Sequence, residues 1–143
     1  THDGTQVLLN LEVPGVLSLS ALDAALEAFA SADIAALAHK ARRLGDLVIA
    51  RVTQLGLETI SPTDGAERGG HVSVRHPEGY AIVQALIARG IIPDFRAPDA
   101  MRFGVAPLYI RFTDVWDAMD QLADVLATRA WDHPSFRQRN AVT

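Results

Sequence analysis

Hydrophobic residues recur along the chain at two different periods, which separate predicted helices from predicted strands. Apolar residues spaced three and four positions apart, typical of amphipathic helices, occupy four segments: 20–29, 31–55, 77–90 and 113–126. Apolar residues that alternate or cluster over shorter lengths, typical of strands, occupy four others: 57–60, 71–75, 91–96 and 101–112. The predicted order is therefore two helices, two strands, a helix, two strands and a helix.

This order predicts an α+β fold, in which helices cover one face of a small mixed or antiparallel sheet. Residues with capping chemistry mark the predicted helix ends. Ser20 and Thr113 are predicted N-caps, because a hydroxyl can accept a hydrogen bond from a free backbone N–H of the first turn. Gly56 and Gly90 are predicted to end their helices. His76 is predicted to cap the third helix.

Composition narrows the classes of function. A chain of 143 residues, 49% of them hydrophobic, fits one domain with a sizeable core. The net charge of −4 argues against a nucleic-acid surface or a polybasic membrane patch, so neither partner is expected. The absence of cysteine excludes disulfides and thiolate metal sites. The five histidines lack the spacing of a metal motif, and we expect no metal.

The residues alone indicate no complete catalytic apparatus. The segment 101–112 carries Arg102 beside Gly104, an arrangement suited to binding a carboxylate through the planar guanidinium. From the pattern alone, a solvent-facing or ion-paired side chain is favoured for both Arg102 and Arg111. Lys40, the only lysine, is predicted to be a surface residue, because nothing near it in sequence indicates the desolvated or cation-flanked pocket that a Schiff-base lysine needs.

Three segments taken together, in order and with their spacing, carry a resemblance. They are HVSVRHPEGY at 71–80, DFRAP at 94–98 and MRFGVAPLY at 101–109. This set resembles the C-terminal part of bacterial kynureninases, and the resemblance extends over nearly all of the chain from Val16 onward. It implies that residues 18–143 form a C-terminal small domain, and that residues 1–17 resemble the end of the large domain with a linker.

Kynureninases are pyridoxal-phosphate hydrolases of the aspartate-aminotransferase fold. They cleave a C–C bond in L-kynurenine to give anthranilate and L-alanine, in tryptophan catabolism, as cytoplasmic homodimers. The resemblance implies that the lysine holding the cofactor lies in an upstream large domain, so that this chain alone should be inactive. The chain begins without methionine, and we therefore expect it to be part of a longer protein.

The resemblance assigns two site residues. Arg102 matches the arginine that binds the α-carboxylate of L-kynurenine or 3-hydroxykynurenine. This match overturns the preference, drawn from the pattern alone, for a solvent-facing or ion-paired Arg102. Thr5, in Gly4-Thr5-Gln6, matches a position that reaches the cofactor near the partner subunit's site. Residues 7–15 form an apparent insertion between Thr5 and the first helix. The resemblance gives Arg111 no role.

Two alternatives stay open on the sequence. One is another pyridoxal-phosphate enzyme of the same fold type, either an aminotransferase or a cysteine desulfurase-like lyase. The other is a protein without catalytic activity, such as a dimerisation or ligand-binding module.

Overall fold

The computed structural model describes residues 15–138, which contacts divide into two compact units. The first unit ends at Asp33 and contains one described helix, α1 (Val16–Glu27). Gly15 precedes this helix without a side-chain cap, so the prediction that Ser20 is the N-cap was wrong. The helix starts earlier because the Gly15 carbonyl already accepts from the Leu19 N–H. The domain boundary between residues 17 and 18 stays a prediction.

The second unit begins at Ile34 and contains the sheet. Its elements follow the predicted order, with one short helix added at the end. They are α2 (Ile34–Gln54), β1 (Glu58–Thr59), β2 (His71–Arg75), α3 (Gly79–Ile87), β3 (Asp94–Arg96), β4 (Ala100–Gly104), α4 (Phe112–Ala127) and α5 (Pro134–Arg137). None of the helices within residues 15–138 is long and apolar enough to cross a membrane.

The sheet has four strands in the order β1-β2-β4-β3, and every neighbouring pair is antiparallel. The two central strands pair over their full length, with Ser73 opposite Arg102 and Val74 opposite Met101. On the outer side of β4, Asp94 lies opposite Arg102 and Phe95 opposite Met101. The prediction of an α+β fold with a small sheet is confirmed.

Alternation along the central strands gives the sheet one buried and one open face. Val72, Val74, Met101 and Phe103 are buried on the inner face. Helix α2 packs against β1 and β2, α3 packs against β3 and β4, and α4 packs against α2 and α3. The residues between these positions, among them Arg102, therefore point to the face that no helix of residues 34–138 covers.

The helical stripes agree with the prediction only in part, since α1 buries none of its residues and Ile34 at the start of α2 is exposed. Helix α4 buries Val115, Met119, Leu122 and Val125, at the three- and four-residue spacing of an amphipathic helix. Helix α3 is buried more completely than α4, and only its last residue, Ile87, is exposed. The sequence pattern predicts a buried stripe of Tyr80, Val83, Leu86 and Ile87, and for Ile87 that prediction was wrong.

The predicted strand 101–112 is interrupted after Gly104. Val105 N–H still donates to the Gly70 carbonyl, but Pro107 has no N–H to continue the ladder. The Ala106 carbonyl instead accepts from Ile110 N–H at 3.0 Å, which closes a turn before α4. The strand prediction for 91–96 was also too long, since only its last three residues pair in the sheet.

Arg111, and not Thr113, is the N-cap residue of α4. The Asp114 carboxylate accepts a hydrogen bond from the Arg111 backbone N–H at 2.8 Å and from its guanidinium at 2.6 Å. A carboxylate in the first turn therefore binds the backbone N–H of the N-cap residue, which lies before the N–H groups that a Thr113 hydroxyl would bind.

A nearly buried arginine fixes the long β1–β2 connection on α2. The Arg68 side chain is only 2% exposed, and it donates to the backbone carbonyls of Pro62, Thr63 and Arg42 and to the Asp46 carboxylate. These bonds join the connection to α2. No pattern in the sequence indicates this role, because the partners of Arg68 are mainly backbone carbonyls.

The position of the Arg68 side chain is predicted to require a glycine at position 45 of α2, because no space remains there for a Cβ. A Cβ at Gly45 would lie 2.7 Å from Arg68 Nε, and Arg68 cannot move without losing its hydrogen bonds. Gly45→Ala gains about 1 kcal/mol of helix propensity. We nevertheless expect the free energy of unfolding, measured by urea denaturation, to fall by about 1–3 kcal/mol. Gly69→Ala is the matched control, because its Cβ would meet nothing within 4 Å. Equal stability of the Gly45→Ala variant and the parent would contradict the account of Arg68.

Candidate functional site

The open face of the sheet carries the charged side chains of all four strands. Two of its rows of paired residues carry Asp, Glu or Arg, one with Ser73, Arg102 and Asp94, and one with Glu58, Arg75, Ala100 and Arg96. Each row spans neighbouring strands, so the side chains within it are close enough to interact directly.

Arg102 lies in the middle of the first row. Its side chain is 31% exposed, and its Nε donates to Asp94 Oδ2 at 2.9 Å. Nη2 donates to the same oxygen. Within residues 15–138, Nη1 has no hydrogen-bonding partner. The guanidinium therefore has one edge bound by Asp94 and another edge open to a ligand.

The ion pair agrees with the preference that the pattern alone gave for Arg102. A fully internal pair, pointing away from the open face, would contradict a role in ligand binding. The Asp94 side chain is however 49% exposed, and both partners lie on the uncovered face. The assignment of Arg102 to a carboxylate stays a prediction.

A second arginine shares the Asp94 carboxylate. Arg96 Nε lies 3.1 Å from Asp94 Oδ2. The hydrogen bond from Arg102, together with the charges of Arg102 and Arg96, lowers the pKa of Asp94 below its ordinary value. Asp94 is therefore ionised at neutral pH. Two guanidinium groups and one carboxylate leave this cluster with one net positive charge.

Arg75, in the other row, is already balanced by two acids. Its Nη1 lies 2.6 Å from Glu58 Oε1 and its Nε lies 3.2 Å from Asp99 Oδ2. Arg75 therefore presents less uncompensated charge to a ligand than Arg102 does. This contrast makes Arg75 a natural control for experiments on Arg102.

Lys40 is not the free surface residue that was predicted. The side chain is partly buried, and its Nζ donates to the Pro107 carbonyl at 2.7 Å. This bond connects α2 to the turn that follows β4. The sequence could not predict this partner of Lys40, because it is a backbone carbonyl 67 residues away.

An apolar cavity lies on the opposite, helix-covered side of the sheet. Its volume is about 280 Å³, and its lining includes Phe103, Val105, Ile110 and Met119. The one charged residue in the lining is Asp114, whose pKa is lowered by hydrogen bonds from Arg111. Arg102 is not in the lining, so the cavity and the cluster on the open face are separate features.

Comparison with known proteins identifies the family. The family model described as the kynureninase C-terminal domain matches residues 37–122. The chain belongs to this family. The matched segment includes β2, β4 and the cluster around Arg102, so the resemblance noted from the sequence is confirmed.

Curated kynureninases are similar to this chain over most of its length. Kynureninase from Pseudomonas fluorescens is 45% identical over 132 residues, which cover 90% of this chain and 32% of the relative. Kynureninases from Burkholderia mallei strain SAVP1 and Burkholderia pseudomallei strain 1106a are 44% identical over the same shares. The chain thus spans about a third of the length of the curated relatives it matches.

A solved structure supports the fold independently. A NifS-like protein matches with a TM-score of 0.62 and 18% identity, over 78% of this chain and 32% of that protein. At this identity the likeness shows the fold alone.

The described residues of the kynureninase C-terminal domain do not fit the anchoring of pyridoxal phosphate. That cofactor is held through a lysine, and the only lysine of the chain, Lys40, lies on α2 with its Nζ bound to Pro107. We therefore assign no cofactor contact to residues 15–138. Thr5, the predicted cofactor-binding residue, lies outside the described residues, and its role stays a prediction.

Two histidines among residues 15–138, His76 and His133, accept hydrogen bonds from backbone N–H groups near the start of a helix. His76 Nδ1 accepts from the Glu78 backbone N–H at 3.0 Å, but Glu78 is the N-cap residue of α3 and the helix has no side-chain cap, so the prediction that His76 caps it was wrong. His133 Nδ1 accepts from Ser135 N–H at the start of α5. Among residues 15–138, no group of three or more His, Asp or Glu side chains is placed to hold a metal ion.

Lys40 is predicted to form no specific adduct with pyridoxal phosphate. Its Nζ is held by the Pro107 carbonyl, so attack on the aldehyde would require loss of that bond. After incubation of the 143-residue chain with the cofactor and borohydride reduction, peptide mapping should find no stoichiometric label on Lys40. A Lys40→Arg variant serves as the blank. Stoichiometric labelling of Lys40 would contradict the prediction.

His76 is predicted to make the stability of the chain dependent on pH. Burial lowers the pKa of His76 below its ordinary value of 6.5, so the unfolded state takes up a proton first as the pH falls. The stabilising contribution is present above pH 6.5 and is lost as the pH falls through the folded-state pKa. Urea denaturation at pH 7.5 and at pH 5.5 should show a smaller loss of stability for His76→Gln than for the parent. His39→Gln, on the exposed side of α2, should behave as the parent does; the same loss in all three would refute the assignment.

Proposed function

We propose that this chain is the C-terminal part of a kynureninase, in which Arg102 binds the α-carboxylate of L-kynurenine. One observation carries the proposal. In a chain of the kynureninase C-terminal domain family, an arginine on the open face of the sheet keeps one guanidinium edge without a partner among residues 15–138. The reaction is the hydrolysis of a C–C bond next to a ketone, with anthranilate and L-alanine as products.

The contribution of Arg102 is to bind and orient the substrate. A guanidinium and a carboxylate are both planar, so two parallel hydrogen bonds fix the direction of the carboxylate as well as its position. Correct orientation of a bound substrate lowers the entropic part of the activation barrier. The cluster of Arg102, Asp94 and Arg96 keeps a net positive charge that favours an anionic substrate group.

The proposal also covers the cofactor, the subunits and the substrates of the full-length enzyme. Pyridoxal phosphate would be held by a large domain of the full-length protein, and the bond from Lys40 Nζ to the Pro107 carbonyl supports this part of the proposal. The finer expectations remain proposals: a cytoplasmic homodimer, Thr5 at the cofactor, 3-hydroxykynurenine as an alternative substrate, and no activity of the chain by itself.

Absorbance and product analysis of the full-length enzyme test the proposed activity. It should absorb light as a pyridoxal-phosphate enzyme and release anthranilate from L-kynurenine. Cysteine and an amino acid with a keto acid acceptor are assayed in parallel, because they report the lyase and aminotransferase alternatives. A full-length protein without pyridoxal phosphate would refute the proposal.

Arg102→Ala is predicted to impair substrate binding in that enzyme. Loss of a hydrogen-bonded charge pair at the site should cost about 2–5 kcal/mol of binding, seen as a large rise in the KM for L-kynurenine. The cofactor absorbance should be retained. Arg75→Ala, on the same face, is the matched control and should leave KM close to the parent value. An unchanged KM in Arg102→Ala would remove Arg102 from the site.

A further inference from the structure

We propose that Asp94 is a positioning residue for Arg102, which holds the Nε–Nη2 edge of the guanidinium and leaves the Nη1 edge for an α-amino acid carboxylate. This inference rests on the proposed function, since it concerns the same arginine. It assigns a role to a residue that sequence reasoning did not single out. It also explains why an ion-paired arginine can still bind a ligand.

The sheet register places the two side chains side by side. Asp94 of β3 is the direct antiparallel partner of Arg102 of β4, so both project to the open face. Arg102 Nε lies 2.9 Å from Asp94 Oδ2, and Nη2 binds the same oxygen. One carboxylate oxygen therefore occupies one edge of the guanidinium fork.

The pairing reduces the freedom of a long side chain before the ligand arrives. An arginine has many rotamers, and a ligand that must select one of them binds more weakly. Because Asp94 fixes the plane of the guanidinium, the Nη1 edge keeps a defined direction. A planar carboxylate can then form two parallel hydrogen bonds with Nη1 and the second hydrogen of Nη2.

A carboxylate beside Arg102 would also repel an anionic ligand, and Arg96 offsets this repulsion. Arg96 Nε lies 3.1 Å from the same Asp94 oxygen. Since two guanidinium groups share one carboxylate, the ligand meets a net positive cluster. The lowered pKa of Asp94 means that the arrangement persists at neutral pH.

The test is a double-mutant cycle in the full-length enzyme, with KM and kcat for L-kynurenine as readouts. We expect Asp94→Ala to raise KM about tenfold in the parent background and to change kcat by less than about twofold, as for residues in direct contact. In the Arg102→Ala background, Asp94→Ala should cause no further rise. Asp94→Asn retains an acceptor oxygen and should restore most of the loss.

Glu58→Ala is the matched control, because Glu58 pairs with Arg75 on the same face. It should leave KM at the parent value. Should Asp94→Ala fail to fold, Asp94→Asn takes its place, with an expected KM rise of about threefold for a weakened contact.

The possible outcomes separate this inference from the proposed function. An unchanged KM in the folded Asp94 variant, while Arg102→Ala raises KM, overturns the positioning role and leaves the proposed function intact. An equal rise in both backgrounds also overturns it, because Asp94 would then act independently of Arg102. An unchanged KM in Arg102→Ala removes the proposed site itself.

Discussion

Alternation along β4 is the constraint on which the rest of the structure depends. Met101 and Phe103 are buried beneath the helices, so Arg102 between them must point to the opposite face. A shift of the register by one residue would bury the guanidinium and expose two apolar side chains. Pairing along the full length of β2 fixes this register. The burial of the core and the exposure of the candidate site are therefore two results of the same strand geometry.

The electrostatics of the open face distinguish its arginines. Arg75 is balanced by Glu58 and Asp99, whereas Arg102 and Arg96 share the single carboxylate of Asp94. A surface ion pair of this kind contributes little to stability, typically about 0–1 kcal/mol. Its main physical effect is on orientation and local charge. A partly exposed pair can also be strengthened when a neighbouring domain excludes water, because the local dielectric constant then falls.

The sequence predicted the elements that depend on local periodicity. The bounds of β2 and the buried stripe of α4 from Val115 to Leu122 follow from two- and 3.6-residue patterns, and the structure agrees with both. The prediction failed where competing hydrogen bonds decide at which residue a helix starts. At the start of α4, the backbone N–H of Arg111 is bound by Asp114. Arg102 was assigned as a candidate site residue through the family resemblance, but its partner Asp94 depends on the pairing of β3 with β4. Likewise, Arg68 binds carbonyls from separate segments, which no local pattern reveals.

The most direct test of the central claim is a crystal structure of the full-length enzyme with a kynurenine analogue that is not hydrolysed. The account predicts that the α-carboxylate of the analogue lies within hydrogen-bonding distance of Arg102 on its Nη1 edge, with Asp94 still on the Nε edge. A carboxylate bound elsewhere, with Arg102 turned away from it, would contradict the account.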